Sequence, residues 1–328
     1  MGIAGKEVGS VQSIYSMRKA ALFFNPLSGR RTGRRLADVN QALSVLKAAG
    51  IAATATPTRA AADAAEQVQQ AIAEGSDTII ACGGDGTIHD VLQGVVGTKA
   101  ALGIIPLGTA NSLAHDLRLP RSPAAAARAA LSAKPRRISA GRVEYQAASG
   151  QRASRYFTVT VGIGVDAHLF YRLNPAMKSR LGMSAYYFNA TRLWLTHPME
   201  EFAVDLDVEG GSRRVSVSQL LAVRIRNFGG MLRELAPGAS LARNDLRVVL
   251  FRTRSRLAYL QYVTRGILAR PGTIAGIETM HSANMTCSNL SQQSRIFVEA
   301  DGELLGTLPA KISIVPGAFT LLMPETLG

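Results

Sequence analysis

Short apolar runs alternate with longer stretches of helical periodicity over the first 136 residues of the chain. The runs predicted as strands cover residues 20–24, 51–56, 78–82 and 102–105. Between the first two runs, apolar residues recur from Leu36 to Leu46 at helical spacing, and Gly50 marks the end of the predicted helix. Strands that alternate with helices in this way predict a doubly wound α/β domain, which we place at residues 18–136.

Beyond residue 137 the pattern changes to many short strands with few helices between them. The predicted strands cover residues 137–145, 156–163, 201–208, 215–225, 246–251, 278–286, 295–299 and 312–315, and helices are predicted within 167–195 and over 256–268. This pattern predicts a mostly antiparallel β-sandwich domain at residues 137–316. A last strand at 319–323 is expected to return to the first domain, so that 317–328 joins it. Residues 1–17 are expected to form a disordered tail, with Met17 as an alternative start.

Three of the predicted parallel strands end in turns rich in glycine and polar residues. The turns are Asn25-Pro26-Leu27-Ser28-Gly29, Gly83-Gly84-Asp85-Gly86-Thr87 and Pro106-Leu107-Gly108-Thr109-Ala110-Asn111. Because the carboxyl ends of parallel strands meet at one edge of a sheet, the three turns are expected to converge on one crevice. Arg30, Arg31, Arg34 and Arg35 follow the first turn at a helix start, where either solvent tolerates these cations or an anion lies nearby.

The second turn leads into a helix whose predicted N-cap is Thr87, with Asp90 completing a capping box. Glycine is used where φ is positive or where a ligand approaches the backbone closely. A helix N-terminus behind such a turn offers unpaired N–H groups and a positive dipole end to a phosphate. The alternative interpretation is a tight strand-to-helix connection in which Asp85 caps the helix.

Composition and charge narrow the class of protein. No stretch of the 328 residues approaches the ~18 uncharged apolar residues of a membrane span. Cys82 and Cys287 are the only cysteines, which indicates a reducing cytoplasm and no disulfide framework. The net charge of +14 predicts a polyanionic partner, either nucleic acid, an anionic membrane surface or a nucleotide. Aromatic residues make up only 6% and no RNP-like motif is found, so nucleic acid is not expected.

A second basic cluster surrounds the helix predicted at 256–268. Its arginines are Arg252, Arg254, Arg256, Arg265 and Arg270, and the apolar and aromatic residues among them are Leu257, Tyr259, Leu260, Tyr262 and Leu268. Together with Lys178, Arg180, Arg192 and Trp194 they would form a basic face that rests on anionic lipid. A core helix with solvated arginines is the alternative.

The three turns, in this order and before a β domain, resemble the diacylglycerol kinase catalytic-domain family, which includes bacterial lipid kinases and sphingosine kinases. The resemblance extends over nearly the whole chain after Met17, although the Gly-Gly-Asp-Gly turn also occurs in NAD kinases and phosphofructokinases. It implies ATP-dependent transfer of the γ-phosphoryl group to a diacylglycerol-like or sphingoid lipid hydroxyl, with Mg²⁺ as a second cofactor. It also implies a cytoplasmic protein peripherally associated with the inner face of the membrane, and edge strands in the β domain would allow a homodimer.

The resemblance also implies roles for individual residues. Those implied to contact the nucleotide are Asn25, Ser28, Gly29, Gly83, Gly84, Gly86, Thr87, Thr109, Asn111 and, more weakly, Thr58. Asp301 of Asp301-Gly302-Glu303 corresponds to the general base, and Glu303 is a second catalytic candidate. Asp85 is a catalytic or metal-binding candidate, and Asp166 in the turn at 162–167 is a second metal candidate.

Each of these acids has a structural alternative. Asp301-Gly302 is a common hairpin signal, Glu303 is as well suited to supporting its neighbours, and Asp166 would serve as a helix N-cap. His89 is interpreted as an exposed helix residue rather than a ligand.

The chain departs from the family pattern at two places. Ser112 stands where many relatives carry an aspartate, unless Asp116 one turn later replaces it, and residues 242–245 read Ala-Arg-Asn-Asp where relatives often have two acids and a glycine. The second departure puts a structural metal in doubt. Two competing hypotheses therefore remain beside a lipid kinase: a soluble-metabolite kinase related to NAD kinases, and a non-catalytic anion-binding or nucleic-acid-binding relative.

Overall fold

The computed structural model of the chain describes residues 16–26, 32–59, 61–165, 199–229, 234–268, 270 and 272–324. Residues 1–15 of the predicted tail and the helices predicted within 167–195 lie outside these ranges. Met17, at the end of the predicted tail, is buried at 8% exposure and packs into the core beside the first strand. The predicted tail is therefore wrong at this position.

The first domain is a parallel sheet with helices on both faces, as predicted. Its strands are β1 (Lys19–Phe24), β2 (Ala52–Pro57), β3 (Thr78–Gly83) and β4 (Ala101–Pro106). Its helices are α1 (Thr32–Ala48), α2 (Ala61–Ala73), α3 (Asp85–Val95), α4 (Ser112–Asp116) and α5 (Pro123–Ser132). The strands pair in the order β2-β1-β3-β4, all parallel.

Alternate residues of the central strands enter two different cores. Leu22 and Ile80 pack on the face covered by α1 and α5, whereas Phe23 and Ile79 pack on the face covered by α2 and α3. Every residue of β3 and β4 is buried. Because both faces are covered, these strands read as continuous apolar runs, and their carboxyl ends are held firmly at one edge of the sheet.

The second domain is a β-sandwich, again as predicted. Its strands are β5 (Lys134–Gln146), β6 (Arg152–Phe157), β7 (Thr160–Gly164), β8 (Phe202–Val208), β9 (Gly211–Val217), β10 (Gln219–Val223), β11 (Leu246–Phe251), β12 (Ile277–Ser282), β13 (Asn284–Asn289), β14 (Phe297–Ala300) and β15 (Glu303–Met323), and its described helix is α6 (Arg256–Leu268). One layer runs β12-β11-β10-β7-β14, and the other contains β9, β8 and β13 with β5 and β6. Their shared core includes Ile163 and Leu220 from the first layer and Val204 and Met285 from the second.

Three predicted strands are each two strands in the structure. The runs at 156–163, 215–225 and 278–286 correspond to β6 and β7, β9 and β10, and β12 and β13. In the first case β6 pairs with β5, while β7 pairs with β10 and β14 in the other layer. The chain crosses between the layers at residues 158–159, which the alternation of apolar residues does not reveal.

The long strand β15 joins the two domains. It pairs antiparallel with β5, β13 and β14, and near its end Thr320 and Leu321 pair parallel with Ala101 and Leu102 of β4. The strand predicted to return to the first domain therefore pairs there, and all strands belong to one 15-stranded sheet. None of the helices in the described part of the chain is long and apolar enough to cross a membrane.

Candidate active site

The second glycine turn lies at the carboxyl end of β3, where α3 begins. The helix starts at Asp85 with Gly84 as its N-cap, so the predicted N-cap at Thr87 is wrong. Thr87 instead covers the preceding backbone: a Cβ placed on Gly83 would lie 2.3 Å from the Thr87 hydroxyl oxygen. No side chain caps the helix N-terminus, so its first N–H groups are available to a ligand.

The second and third turns touch backbone to backbone. A Cβ placed on Gly108 would lie 2.3 Å from the Cα of Gly84, so the close approach requires glycine. Asn111 closes the third turn on itself, since its Oδ1 accepts from the Gly108 N–H at 2.8 Å and its Nδ2 donates to the Gly108 carbonyl at 2.9 Å. Asn111 therefore shapes the turn from behind.

Asp85 links the two turns. Its carboxylate accepts hydrogen bonds from the backbone N–H groups of Ser112 at 3.1 Å and Leu113 at 3.4 Å, and so caps α4. Burial raises the pKa of Asp85, the two N–H groups lower it, and the nearby charge of Asp301 raises it. In the structure, Asp85 therefore holds the start of α4 against the start of α3. The catalytic and metal-binding roles implied for Asp85 stay predictions, and Asp166 lies outside the described residues.

The turns border a pocket of about 590 Å³ between the two domains. The predicted residues on its walls are Asn25, Gly84, Gly86, Thr87, Thr109 and Glu303. The wall residues not proposed as site residues from sequence are Arg35, His89, Asp90, Gly108, Tyr145, Arg155, Leu304 and Leu305. Thr58 lies at the end of β2, where its N–H donates to the carbonyl of Phe24 at 2.9 Å. Ser28 and Gly29 lie outside the described residues.

Arg35 differs in burial from its neighbour Arg34 in the first turns of α1. It is buried at 3% exposure, its Nη1 donates to the Leu107 carbonyl at 2.8 Å, and burial lowers its pKa. Arg34 is exposed. A buried guanidinium on a pocket wall suits an anionic ligand, so of the two explanations for the arginine cluster, the anion explanation fits Arg35 and the solvent explanation fits Arg34.

Asp301 and Gly302 form the turn between β14 and β15, with φ values of 50° and 85°. The hairpin interpretation therefore describes the backbone correctly. The Asp301 side chain turns inward and is buried at 6% exposure. Its carboxylate accepts from the N–H groups of Thr158, Val159 and Thr160 at 2.9–3.0 Å. These three residues lie where the chain crosses from β6 in one layer to β7 in the other, and Asp301 thereby holds this crossing in place. The Asp301 carboxylate does not line the pocket.

His89 is buried at 2% exposure, so its interpretation as an exposed helix residue is wrong. Its Nδ1 lies 3.5 Å from the Asp301 carboxylate, and its Nε2 has no hydrogen-bond partner among the described residues. The spacing offered one signal for this contact: His89 follows Asp85 by four residues, so both lie on the same face of α3.

Two carboxyl groups face the pocket beside His89. Burial raises the pKa of Asp90 to about 6, and the charge of His89 acts in the opposite direction. Glu303 is exposed at the pocket mouth, but partial desolvation still raises its pKa. A Cβ placed on Gly86 would lie 2.6 Å from the Glu303 Oε1, so this carboxylate rests against the first turn of α3. It therefore reaches the second glycine turn from the facing domain.

The two departures from the family pattern have structural explanations. Ser112 gives its N–H to Asp85, while Asp116 accepts from the N–H groups of Arg226 and Asn227 at 3.1 and 2.9 Å, so Asp116 braces a loop of the second domain. At 242–245, the carboxylate of Asp245 pairs with Arg243 and His281. The described residues contain no group of three or more His, Cys, Asp or Glu side chains placed to hold a metal ion.

A buried guanidinium lies where the second departure occurs. Arg224 is fully buried, and burial lowers its pKa to about 10. It donates to the carbonyl oxygens of Ser139, Leu241, Arg243 and Asp245. A single internal cation thus holds three carbonyl groups of this turn together and ties them to β5 through Ser139.

The comparisons with known proteins agree with the architecture. A family model described as the diacylglycerol kinase catalytic domain matches residues 19–143, and one described as the YegS C-terminal NAD kinase β-sandwich-like domain matches residues 159–323. A diacylglycerol kinase of Bacillus subtilis (strain 168) is 27% identical over 94% of this chain and 97% of its own length. A Staphylococcus aureus diacylglycerol kinase (strain bovine RF122 / ET3-1) is 26% identical over 89% of this chain and 88% of its own.

A crystal structure from Bacillus anthracis strain Sterne, assigned as a diacylglycerol kinase, has the same fold. Its TM-score is 0.75 at 21% identity, and the match covers 97% of this chain and 99% of that one. The two family models together span both domains, including the glycine turns and the hairpin that carries Asp301. The chain therefore belongs to the family of the diacylglycerol kinase catalytic domain, with the YegS type of C-terminal β-sandwich.

Proposed function

We propose that the protein transfers the γ-phosphoryl group of ATP to the hydroxyl group of a lipid. The observation that carries this proposal is the division of the pocket walls. The first domain contributes glycine turns, a helix N-terminus and the buried Arg35, whereas the second contributes Arg155 and Glu303 together with Leu304, Leu305 and Tyr145. One wall suits phosphates, and the other suits an apolar acceptor beside a proton-accepting group.

The pocket wall formed by the first domain is called the phosphate wall below. It needs no side chain that forms a covalent bond with phosphate, because phosphoryl transfer depends mainly on positioning and charge neutralisation. Gly84 and Gly86 leave the first N–H groups of α3 uncovered, and the guanidinium groups of Arg35 and Arg155 lie on the same pocket. Mg²⁺ usually takes one or two protein carboxylates and completes its shell with phosphates and water. Asp90 fits that requirement and would hold the ion, which would neutralise charge on the transferred phosphates.

The pocket wall formed by the second domain, called the acceptor wall, supplies the group that takes the proton of the lipid hydroxyl. In the proposed step the acceptor hydroxyl gives its proton to the Glu303 carboxylate, and its oxygen bonds to the γ-phosphorus. The bond from the γ-phosphorus to the β,γ-bridging oxygen breaks, and ADP leaves. A pKa raised by partial desolvation suits a carboxylate to this task. Asp301, which the resemblance implies as base, would act from behind by holding the crossing at Thr158–Thr160.

The test is to incubate the protein with γ-labelled ATP and one acceptor at a time, and then to separate the products. The acceptors are diacylglycerol, monoacylglycerol, a sphingoid base, a polyprenol and NAD. A labelled lipid supports the proposal. Binding of ATP without transfer to any lipid overturns it. Glu303→Gln serves as the matched variant, because it should bind ATP like the wild type and lose transfer.

A soluble-metabolite kinase is the second candidate. It is favoured by one observation, the description of the matching second domain as NAD kinase-like. Labelled NADP without any labelled lipid would support it. The apolar side chains of Leu304 and Leu305 beside Glu303 argue against it, because they offer nothing to the polar groups of a dinucleotide.

A further inference from the structure

We propose that the outer face of α6 is the surface by which the protein docks on anionic lipid bilayers. The biological purpose of this docking rests on the proposed lipid-kinase function, but the binding itself is measured without any turnover. The surface, called the α6 face below, consists of Leu257, Leu260, Val263 and Leu268 with the arginines that flank them.

The apolar side chains of the α6 face are exposed to an unusual degree. Leu257, Leu260, Val263 and Leu268 are exposed by 62%, 53%, 42% and 54%, and they are four of the seven exposed large hydrophobic side chains among the described residues. Leu260 follows Leu257 by three residues and Leu268 follows Leu260 by eight, which are spacings of one helix face, so the leucines form one stripe. A contiguous exposed stripe of this kind marks an interaction surface more often than a solvated one.

The opposite side of α6 accounts for its attachment to the domain. Ala258 and Tyr259 are buried at 7% and 5% exposure, and the Tyr259 ring lies 4.5 Å from that of Phe251. The hydroxyl of Tyr262 donates to the carbonyl of Leu235. Because these contacts hold the helix in place, the leucine stripe is not required for folding, and its exposure needs another explanation.

The charge around α6 decides the kind of partner. Residues 246–277 contain no aspartate or glutamate, and their six arginines are Arg247, Arg252, Arg254, Arg256, Arg265 and Arg270. Acids from elsewhere offset part of this charge, since Glu278 pairs with Arg252 and Glu201 with Arg254. The surface therefore keeps a positive excess at both ends of an apolar stripe.

An anionic bilayer satisfies both features at once. Leucines at the centre of the α6 face would enter the headgroup–acyl boundary, and arginines at its ends would meet lipid phosphates. A second copy of the chain suits the surface less well, because two α6 faces paired about a two-fold axis would bring arginines together. Nucleic acid leaves the leucine stripe without a complementary surface.

The test is cosedimentation of the full chain with vesicles of phosphatidylcholine alone or mixed equally with phosphatidylglycerol. The wild type is expected to bind the mixed vesicles at least about tenfold more tightly. Leu257→Ser with Leu260→Ser should weaken that binding by about tenfold or more, since both side chains lose apolar burial. Leu36→Ser with Leu290→Ser is the matched control, because these leucines are similarly exposed, at 57% and 56%, and lie elsewhere.

A second pair of variants tests the charge. Arg254→Gln with Arg270→Gln should weaken binding to the mixed vesicles by about tenfold at low salt, and added salt should remove most of the difference. All variants should keep the wild-type thermal midpoint and the wild-type rate of transfer to a short-chain acceptor dispersed below its micelle concentration.

Three results would overturn docking through the α6 face: equal vesicle binding by the leucine variant and the wild type, an equal loss in the control variant, or a wild-type dimer that the leucine variant abolishes. Vesicle binding by a protein that phosphorylates no lipid would overturn the proposed function and leave the docking surface standing. Lipid phosphorylation without vesicle binding would do the reverse.

Discussion

Asp301 and Glu303 lie two residues apart on one hairpin, yet they meet different surroundings. Asp301 is enclosed by three backbone N–H groups and His89, whereas Glu303 points into the pocket against the first turn of α3. In a regular strand, residues two apart point to the same face. The positive φ values of Asp301 and Gly302 break that regularity at the turn, so the two acids point in different directions. Their separate duties follow from this local geometry.

Substitution of each acid by its amide should separate the two duties. Asp301→Asn leaves one acceptor oxygen for three N–H groups, so the free energy of unfolding should fall by about 1–3 kcal/mol. Glu303→Gln should change it by less than about 0.5 kcal/mol and should slow phosphoryl transfer by about 100-fold or more, as expected for loss of a general base.

Urea denaturation and the transfer assay on the same preparations test this pair of expectations. If Asp301→Asn keeps its full stability and its ATP binding but loses transfer, then Asp301 is the base, as the sequence resemblance implies. Full activity of Glu303→Gln would also contradict the assignment of the base to Glu303.

Asp90 should make stability fall as the pH rises through about 6. Its pKa is raised from 3.8 to about 6 in the folded protein, mainly by burial, so the native state holds an extra proton between these values. The stabilisation is complete below the unfolded pKa and is lost as the pH passes the folded pKa.

Urea unfolding at pH 5 and pH 7, with chelator and without nucleotide, measures this dependence. The fall in stability between the two pH values should be smaller for Asp90→Asn than for the wild type. Glu303 and Asp85 also have raised pKa values and should leave a residual fall of the same sign. An unchanged fall in the variant would rule out Asp90 as a source.

At the scale of elements, the site depends on the contact between the turns after β3 and β4. The two strands pair over their whole length, from Thr78 with Ala101 to Gly83 with Pro106, so their turns emerge side by side. Asp85 then ties the start of α3 to the start of α4. The proposed phosphate wall is therefore made by two neighbouring elements and not by one glycine turn alone.

Gly108→Ala should separate these two turns. The added methyl group would lie 2.3 Å from the Gly84 Cα, and relieving that overlap should cost about 1–3 kcal/mol of stability. It should also lower ATP affinity, because the N–H groups that receive the phosphates move.

Gly33→Ala in α1 is the matched control for this substitution. A Cβ at Gly33 meets no atom within 4 Å, so alanine should be tolerated and should stabilise the helix by up to about 1 kcal/mol. Calorimetric ATP titration and urea unfolding of both variants provide the measurement. Equal ATP affinity in Gly108→Ala and the wild type would contradict the proposed phosphate wall.

At the scale of the whole molecule, β15 makes the two domains interdependent. Its end supplies Phe319 and Leu321 to the core of the first domain, both fully buried, while its start carries Glu303. The same strand therefore completes one domain and delivers a pocket residue from the other. A rigid connection of this kind holds both pocket walls in register.

A fragment of residues 16–146 should not fold alone, because β4 loses its outer partner and the core loses Phe319 and Leu321. Joining residues 317–324 to that fragment through a flexible linker should restore a cooperative transition, since this segment pairs with both β4 and β5. Urea unfolding followed by circular dichroism tests both fragments beside the full chain, for which a single transition is expected. Cooperative unfolding of the shorter fragment at the midpoint of the full chain would contradict this dependence.

The sequence pattern was sufficient for the fold class and for the turns that follow β3 and β4. It predicted the parallel sheet because β3 and β4 are buried on both faces, and it located the turns because glycine and asparagine there have backbone reasons to be present. It failed where one apolar run contains a crossing between layers, as at 158–159, because periodicity reports which residues are buried and not which strand lies beside them.

Local spacing and backbone preference were enough to predict the alternating strands and helices of the first domain, the turns after β3 and β4, and the family. Long-range packing sets which acid faces the pocket, buries His89 against Asp301, and places Arg35 on a pocket wall while Arg34 is exposed. These outcomes depend on contacts between residues far apart in the chain, such as the 212-residue separation of His89 and Asp301. Burial and electrostatic environment are properties of such contacts, so no local pattern specifies them.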